Sequence, residues 1–316
     1  MHHERPWQLY RDRSRCRRAG PIVALSTVVL ALSATSIAKA EDPPYIGWSE
    51  LLPGFATTYN PSSENDCTAG RVRCVDAVIR EMQRRFEPLA AACDHDAIFA
   101  LSYLRTTEEY RRAIQEPGFF EDTPFVNHED AVFAGYYFEA ADDWHAGRRE
   151  EVPPAWAIAM KAADERTMPA SGNLSLGINA HVQRDLPFVL AGIGLVKPDG
   201  TSRKRDHDKV NVFLNRVTDG LIAEIASRFD PTADDANLPT SIDDVGIFQL
   251  IPTWREIAWR NAERLATAPT GQARAAVAAE IEGYAASQAE TIRRSTSYLP
   301  GVQSSAARDA YCSAHQ

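Results

Sequence analysis

The chain has 316 residues, with 34 Lys and Arg against 43 Asp and Glu, a formal net charge of −9. The first 40 residues hold seven of the basic and two of the acidic residues, so residues 41–316, with 27 basic and 41 acidic, carry a net −14. That balance excludes a phosphate-backbone binder, whose affinity rests on Lys and Arg neutralising phosphates, and a hydrophobic fraction of 44% excludes a disordered chain.

The front end reads as an export signal. Basic residues through Arg18 precede the apolar run Ile22–Leu32, and Ala38-Lys39-Ala40 places small residues where a signal peptidase cleaves. Cleavage after Ala40 is expected, giving a secreted or periplasmic (cell-envelope) protein that begins at Glu41. The run is short of the ~20 residues of a membrane span, so no stable span is expected after cleavage. An uncleaved anchor is the alternative, and Arg17-Arg18 also permits a twin-arginine route. Cys16 leaves with the signal. Four cysteines in an exported chain suggest two disulfides, and the short separation across a Gly-containing turn favours Cys67–Cys74 with Cys93–Cys312. The rival, a zinc site, lacks ligand spacing.

From Arg71 onward the apolar spacing is helical. Val72, Val75, Val78, Met82, Phe86 and Leu89 share one face of a first helix. Asp94 caps a second, His95–Ile114, which Pro117-Gly118 and Pro124 end. Asn127 opens a third, His128–His145, and Pro153-Pro154 starts a fourth, running to about Arg166. Gly172–Leu195 is strongly apolar, with a kink or break expected near Leu186 because of Pro187. A polar loop, residues 197–205, leads to Asp208–Phe229. The acidic stretch Asp230–Asp244 reads as a long loop, and helices about Asp244–Ala266 and Gln272–Arg294 follow. No strand alternation or fixed-period repeat is present. The expectation is one all-α, bundle-like domain, residues 41–316, of about seven or eight helices behind a signal peptide at 1–40.

Standard nucleotide, nucleophile-elbow and zinc-protease motifs are absent. Six histidines follow residue 40, which makes their placement informative. His181 and Asp185 stand four apart on an apolar helix, where both side chains reach one point beside it. That is the geometry of two metal ligands, or of a carboxylate orienting an imidazole. A self-satisfied buried hydrogen bond is the plain structural alternative. Asp206-His207-Asp208 opens the next helix, with Asp206 a candidate N-cap and His207 a candidate ligand. His128, at a helix start beside Glu129 and Asp130, is the remaining candidate. It stands ~16 Å along the helix from Glu139, so only one of the two can join the His181 site, and imidazole suits zinc or iron.

Two stretches carry a family likeness. Cys93-Asp-His95 with Phe99-Ala-Leu-Ser-Tyr-Leu-Arg-Thr-Thr-Glu-Glu-Tyr110, and Gly172-Asn-Leu-Ser-Leu-Gly-Ile-Asn-Ala-His181-Val-Gln-Arg-Asp185-Leu-Pro187, resemble the bacterial domain-of-unknown-function 5995 family. The resemblance implies an all-helical domain and supplies no activity or site residues. His181…Asp185-Leu-Pro187 is also similar, more loosely, to the His-x-x-x-Asp pairs of helical zinc-dependent phospholipase C and nuclease enzymes. Those use several such pairs and an N-terminal Trp ligand, whereas this chain has one pair and Trp48 lies eight residues in from the cleavage point.

The functional expectation is an exported metal-dependent hydrolase acting on a small-molecule or lipid-like ester or phosphoester. His181, Asp185, His207 and His128 hold a divalent zinc or iron that activates water, and Asp206 and Asp208 serve as orienters or general base. The alternatives are a non-catalytic secreted helical protein and a non-haem iron oxygenase.

Overall fold

In a computed structural model the described residues are 52–234 and 244–316, the side chains of 244–249 excepted. The expected signal peptide and cleavage site, Cys16, Trp48 and most of the acidic loop lie outside them.

Nine helical rods account for the described residues: α1 Val72–Ala91, α2 Ala97–Ala113, α3 Thr123–His145, α4 Pro154–Asp164, a composite rod, α7 Lys204–Arg228, α8 Asp244–Thr267, α9 Gly271–Ser295 and α10 Ser305–His315. The composite rod runs from α5 (Ala170–Asn179) through a π-helical turn (Ala180–Asp185) into α6 (Leu186–Ile193). Among the described residues there is no strand, only an isolated bridge between Val196 and Ser202. The fold is all-α, and no described helix is long and apolar enough to cross a membrane.

Side-chain pattern explains the arrangement. In α1 the buried residues Val75, Val78, Met82 and Phe86 recur every three or four positions, so one stripe faces the core. The composite rod is buried on nearly every side and is accordingly central, packed against α2, α3, α4, α8 and α9. Pro187 acts as expected, but the rod widens instead of breaking. A proline ring crowds the carbonyl four residues back, here Gln183, so the preceding turn takes one extra residue and the Leu186 N–H reaches the His181 carbonyl. Gly177 lets α2 approach, since a Cβ there would fall 2.3 Å from the Phe99 ring.

Helix starts differ from expectation at three places. α2 begins two residues later than expected, at Ala97, with Asp96 instead of Asp94 at its N-cap position. α3 begins one turn earlier, at Thr123, because the Asp122 carboxylate accepts the Phe125 N–H at 3.3 Å. Asn127 is therefore interior, accepting from the Tyr110 hydroxyl at 2.5 Å and donating to the Gly70 carbonyl. α7 begins at Lys204, which puts Asp206 inside the first turn. The C-terminal helix α10, capped by Ser304 on the Ala307 N–H, has no counterpart in the sequence reading. The bridges pair as expected: Cys67–Cys74 ties the segment before α1 to its first turn, and Cys93–Cys312 fastens α10 to the end of α1.

Candidate functional site

The π turn carries the sharpest polar arrangement. His181 is buried and donates its Nδ1–H to Asp185 Oδ2 at 2.9 Å. The same oxygen accepts the Trp156 indole N–H at 2.9 Å, and Asp185 Oδ1 accepts from Arg184 at 2.9 Å. With three donors Asp185 is satisfied, and it fixes the His181 tautomer so that Nε2 carries a bare lone pair. The imidazole is clamped flat on Phe133, ring centroids 3.5 Å apart and planes 8° from parallel, with Tyr103 edge-on at 4.5 Å. Burial lowers its pKa below the ordinary 6.5, outweighing the pull of Asp185, so the ring is neutral at pH 7. Its Nε2 has no hydrogen-bond partner among the described residues.

His181 is among the residues lining a cavity of about 110 Å³, partly open to solvent, between α2, α3, the composite rod, α7 and α8. Most of the lining is aliphatic or aromatic. The polar exceptions cluster: the buried Tyr103 hydroxyl and Asp130 Oδ2 also lack partners, as does Arg255 Nε. Glu129, beside Asp130, and the hydroxyl residues Ser102, Thr106 and Thr107 also line it. Desolvation raises Asp130 to about 8, with Glu129 adding to the rise. Desolvation raises Glu129 to about 7, against the pull of Arg255. Burial also holds the Tyr103 phenol well above its usual value and lowers Arg255 to about 10.

The other expected site residues stand elsewhere. Both ring nitrogens of His128 face backbone carbonyls, Cys67 and Thr57, each at 2.9 Å, so His128 fastens the segment before α1 to α3. His207 Nδ1 accepts from Arg255 at 3.2 Å and its Nε2–H donates to the Arg255 carbonyl at 3.1 Å. Burial, then the adjacent guanidinium, push its pKa well below 6.5. Asp206 accepts the Glu121 and Asp122 N–H groups at 2.7 and 3.0 Å, capping the approach to α3 instead of its own helix. Asp208 is exposed and pairs with Lys204 at 2.6 Å.

A metal of the expected kind needs three converging donors with free lone pairs. His128 and His207 have both nitrogens engaged, and Asp185 is filled by three donors. Among the described residues no group of three or more His, Cys, Asp and Glu side chains could hold a metal ion. The described donor set does not fit zinc or a two-His-one-carboxylate iron, and no step below passes through a metal.

Sequence reasoning missed Tyr103, Asp130 and Arg255. One signal was available for Asp130: with Val126, Phe133 and Tyr137 it falls on a single α3 stripe, where an acid among apolar neighbours demands an explanation. Arg255 had none, because its role depends on α8 crossing α7.

The sequence profile of the Family of unknown function (DUF5995) matches residues 75–295. No curated protein and no solved structure matches the chain.

Proposed function

The chain belongs to that family, whose description carries no activity, and we propose that it is an exported hydrolase of small, largely apolar esters with His181 as its base. One observation carries the reading. A neutral imidazole, locked by a fully satisfied Asp185, keeps a bare Nε2 buried without a partner on a residue that lines an apolar cavity, next to Tyr103, whose hydroxyl is also unpartnered. Such a lone pair, buried without a partner, is costly unless something bound uses it. The two disulfides and the export signal in the sequence support action outside the cytoplasm.

In the reaction, His181 Nε2 takes a proton from water as the water oxygen adds to the ester carbonyl carbon. The carbonyl oxygen receives the displaced electron pair and accepts a hydrogen bond from the Tyr103 O–H. When the tetrahedral adduct collapses, the C–O bond to the alcohol breaks and the leaving oxygen takes the proton back from His181. Asp185 orients the ring and stabilises the transient imidazolium.

The test is acid release from methyl acetate by the purified protein. Turnover is expected in wild type, with a loss of ~10²–10⁴-fold in His181→Ala. Prior dialysis against a chelator should leave the rate unchanged; a chelator-sensitive rate restored by zinc or iron would return the metal-dependent reading. A second reading, a non-catalytic carrier of a small apolar molecule, draws on the mostly apolar wall. Retention of the compound without acid release would favour it.

A further inference from the structure

The hydrolytic reading uses His181 and Tyr103 and leaves the acid pair of α3 unexplained. Asp130 Oδ2 is buried without a partner among the described residues, and Glu129 lines the same cavity wall. Two neighbouring carboxyl groups in an apolar wall are costly, and Arg255 is the one cation lining the cavity among the described residues. Desolvation keeps Asp130 largely protonated at pH 7; a cation beside the pair favours the ionised forms, and with both acids ionised and Arg255 charged the wall carries one negative charge in excess. Of the atoms without partners there, His181 Nε2, by its tautomer, and ionised Asp130 Oδ2 accept, the Tyr103 hydroxyl accepts or donates, and Arg255 Nε donates. Around them stand the rings of Phe99, Tyr110, Phe133 and Phe213, and a ring attracts a cation wherever it offers its face. A ligand that completes this wall brings hydrogen-bond donors, one positive charge and a small apolar body.

We infer that the cavity takes a small apolar molecule bearing a protonated amine, anchored by Asp130 and Glu129. The inference rests on the hydrolase reading only for which end of the substrate reacts: the ammonium lies on the acid pair and the ester on His181. The volume of about 110 Å³ sets the size. A cavity of ~150 Å³ accommodates benzene, so a body of about five heavy atoms fits. Desolvation raises Asp130 to about 8 and Glu129 to about 7, so a bound ammonium must draw the pair into its ionised forms, releasing a proton as it binds.

The experiment is calorimetric titration of the purified protein with n-butylammonium, n-butanol and butyrate, probes of matched size and different head groups. Butylammonium should bind roughly tenfold or more tighter than n-butanol, and butyrate should bind weakest. Asp130→Asn should remove most of that preference while n-butanol affinity stays within about twofold, which also shows that the variant keeps its cavity. Glu129→Gln should reduce the preference less. Equal affinity for amine and alcohol, tighter binding of butyrate, or an unchanged preference in Asp130→Asn would overturn the inference. The hydrolase reading fails separately. If butylammonium binds but methyl acetate is not hydrolysed, the amine site stands and the reaction falls; if methyl acetate is hydrolysed without amine preference, the reverse holds. Uptake of none of the three probes would overturn the inference together with the cavity's role as a binding site.

Discussion

His181 and His207 are both buried histidines with an aspartate close in sequence, yet their surroundings differ in one respect that decides what each can do. Around His207 the account is closed: Nδ1 accepts from Arg255, Nε2 donates to the Arg255 carbonyl, and Arg255 Nη2 also donates to the His207 carbonyl at 2.7 Å. Asp206, next in sequence, points away to cap α3. Around His181 the account is closed on one side only, with Asp185 taking Nδ1–H and no partner at Nε2 among the described residues. A His–Asp pattern therefore says little by itself. Completeness of the partner set separates a pin from a tool, and it is a property of the packing.

The largest expected effect tests that distinction directly. His181→Ala should lower ester hydrolysis by ~10²–10⁴-fold, whereas His207→Ala should leave turnover per folded molecule within a few fold. Comparable losses in both, measured on folded fractions of each variant, would erase the contrast. The pH profile sharpens it. Because burial lowers the His181 pKa, the acid limb of the rate should fall below the ordinary imidazole value of about 6.5. A limb at or above that value would mean that a different group is titrating.

Much of the fold was legible in the sequence because its signals are local. The stripe of α1, the composite rod and both bridges follow from spacing, composition and cysteine count. The α7 start was misplaced because Asp206 looks like an N-cap, and only tertiary structure reveals that its carboxylate is needed by α3. Of the site, the His181–Asp185 pair was legible, since polar residues four apart in an apolar run must satisfy each other or something else. The cavity was not. Tyr103, Asp130 and Arg255 come from three helices, α2, α3 and α8, separated by up to 152 positions in sequence. No local pattern encodes their meeting, and equally none showed that His128 and His207 spend both ring nitrogens on backbone groups or a guanidinium.

A third closed histidine supplies the next effect. His95 Nε2 meets Asp309 at 3.0 Å and its Nδ1 accepts from Arg308 at 3.0 Å, joining α10 to the start of α2. Burial, then the Arg308 charge, lower its pKa to about 4. The unfolded chain, with the ordinary value of about 6.5, binds a proton first as pH falls. This contribution to stability is thus complete above pH 6.5 and shrinks by up to about 3 kcal/mol on the way to pH 4. Thermal melts of wild type and His95→Gln should converge between pH 7 and pH 5. A gap of constant width would show that His95 does not titrate as its surroundings require.

His207→Ala comes next in size. It strands the Arg255 carbonyl and one guanidinium donor in the core, a loss of ~1–3 kcal/mol. Arg255 also lines the cavity, so His207→Ala should weaken small-ligand binding modestly while leaving the acid–base chemistry in place. Denaturant melts alongside the butylammonium titration separate these effects. A variant as stable as wild type would mean that the His207 network contributes nothing net.

The smallest expected effect belongs to Asp208, the residue whose sequence neighbourhood most resembled a catalytic cluster. Its side chain is exposed, and its one close partner, Lys204 at 2.6 Å, also reaches Glu256 at 2.7 Å. Removing one carboxylate from a shared surface lysine leaves that lysine paired, and exposed ion pairs contribute ~0–1 kcal/mol. Asp208→Ala should therefore change the melting midpoint slightly, more at low salt than at high salt, because screening already weakens the pair. Hydrolysis and butylammonium binding should both be unchanged, since Asp208 is not among the residues lining the cavity. A large loss of turnover in Asp208→Ala would place the chemistry at the start of α7, and His181 would then be the pin.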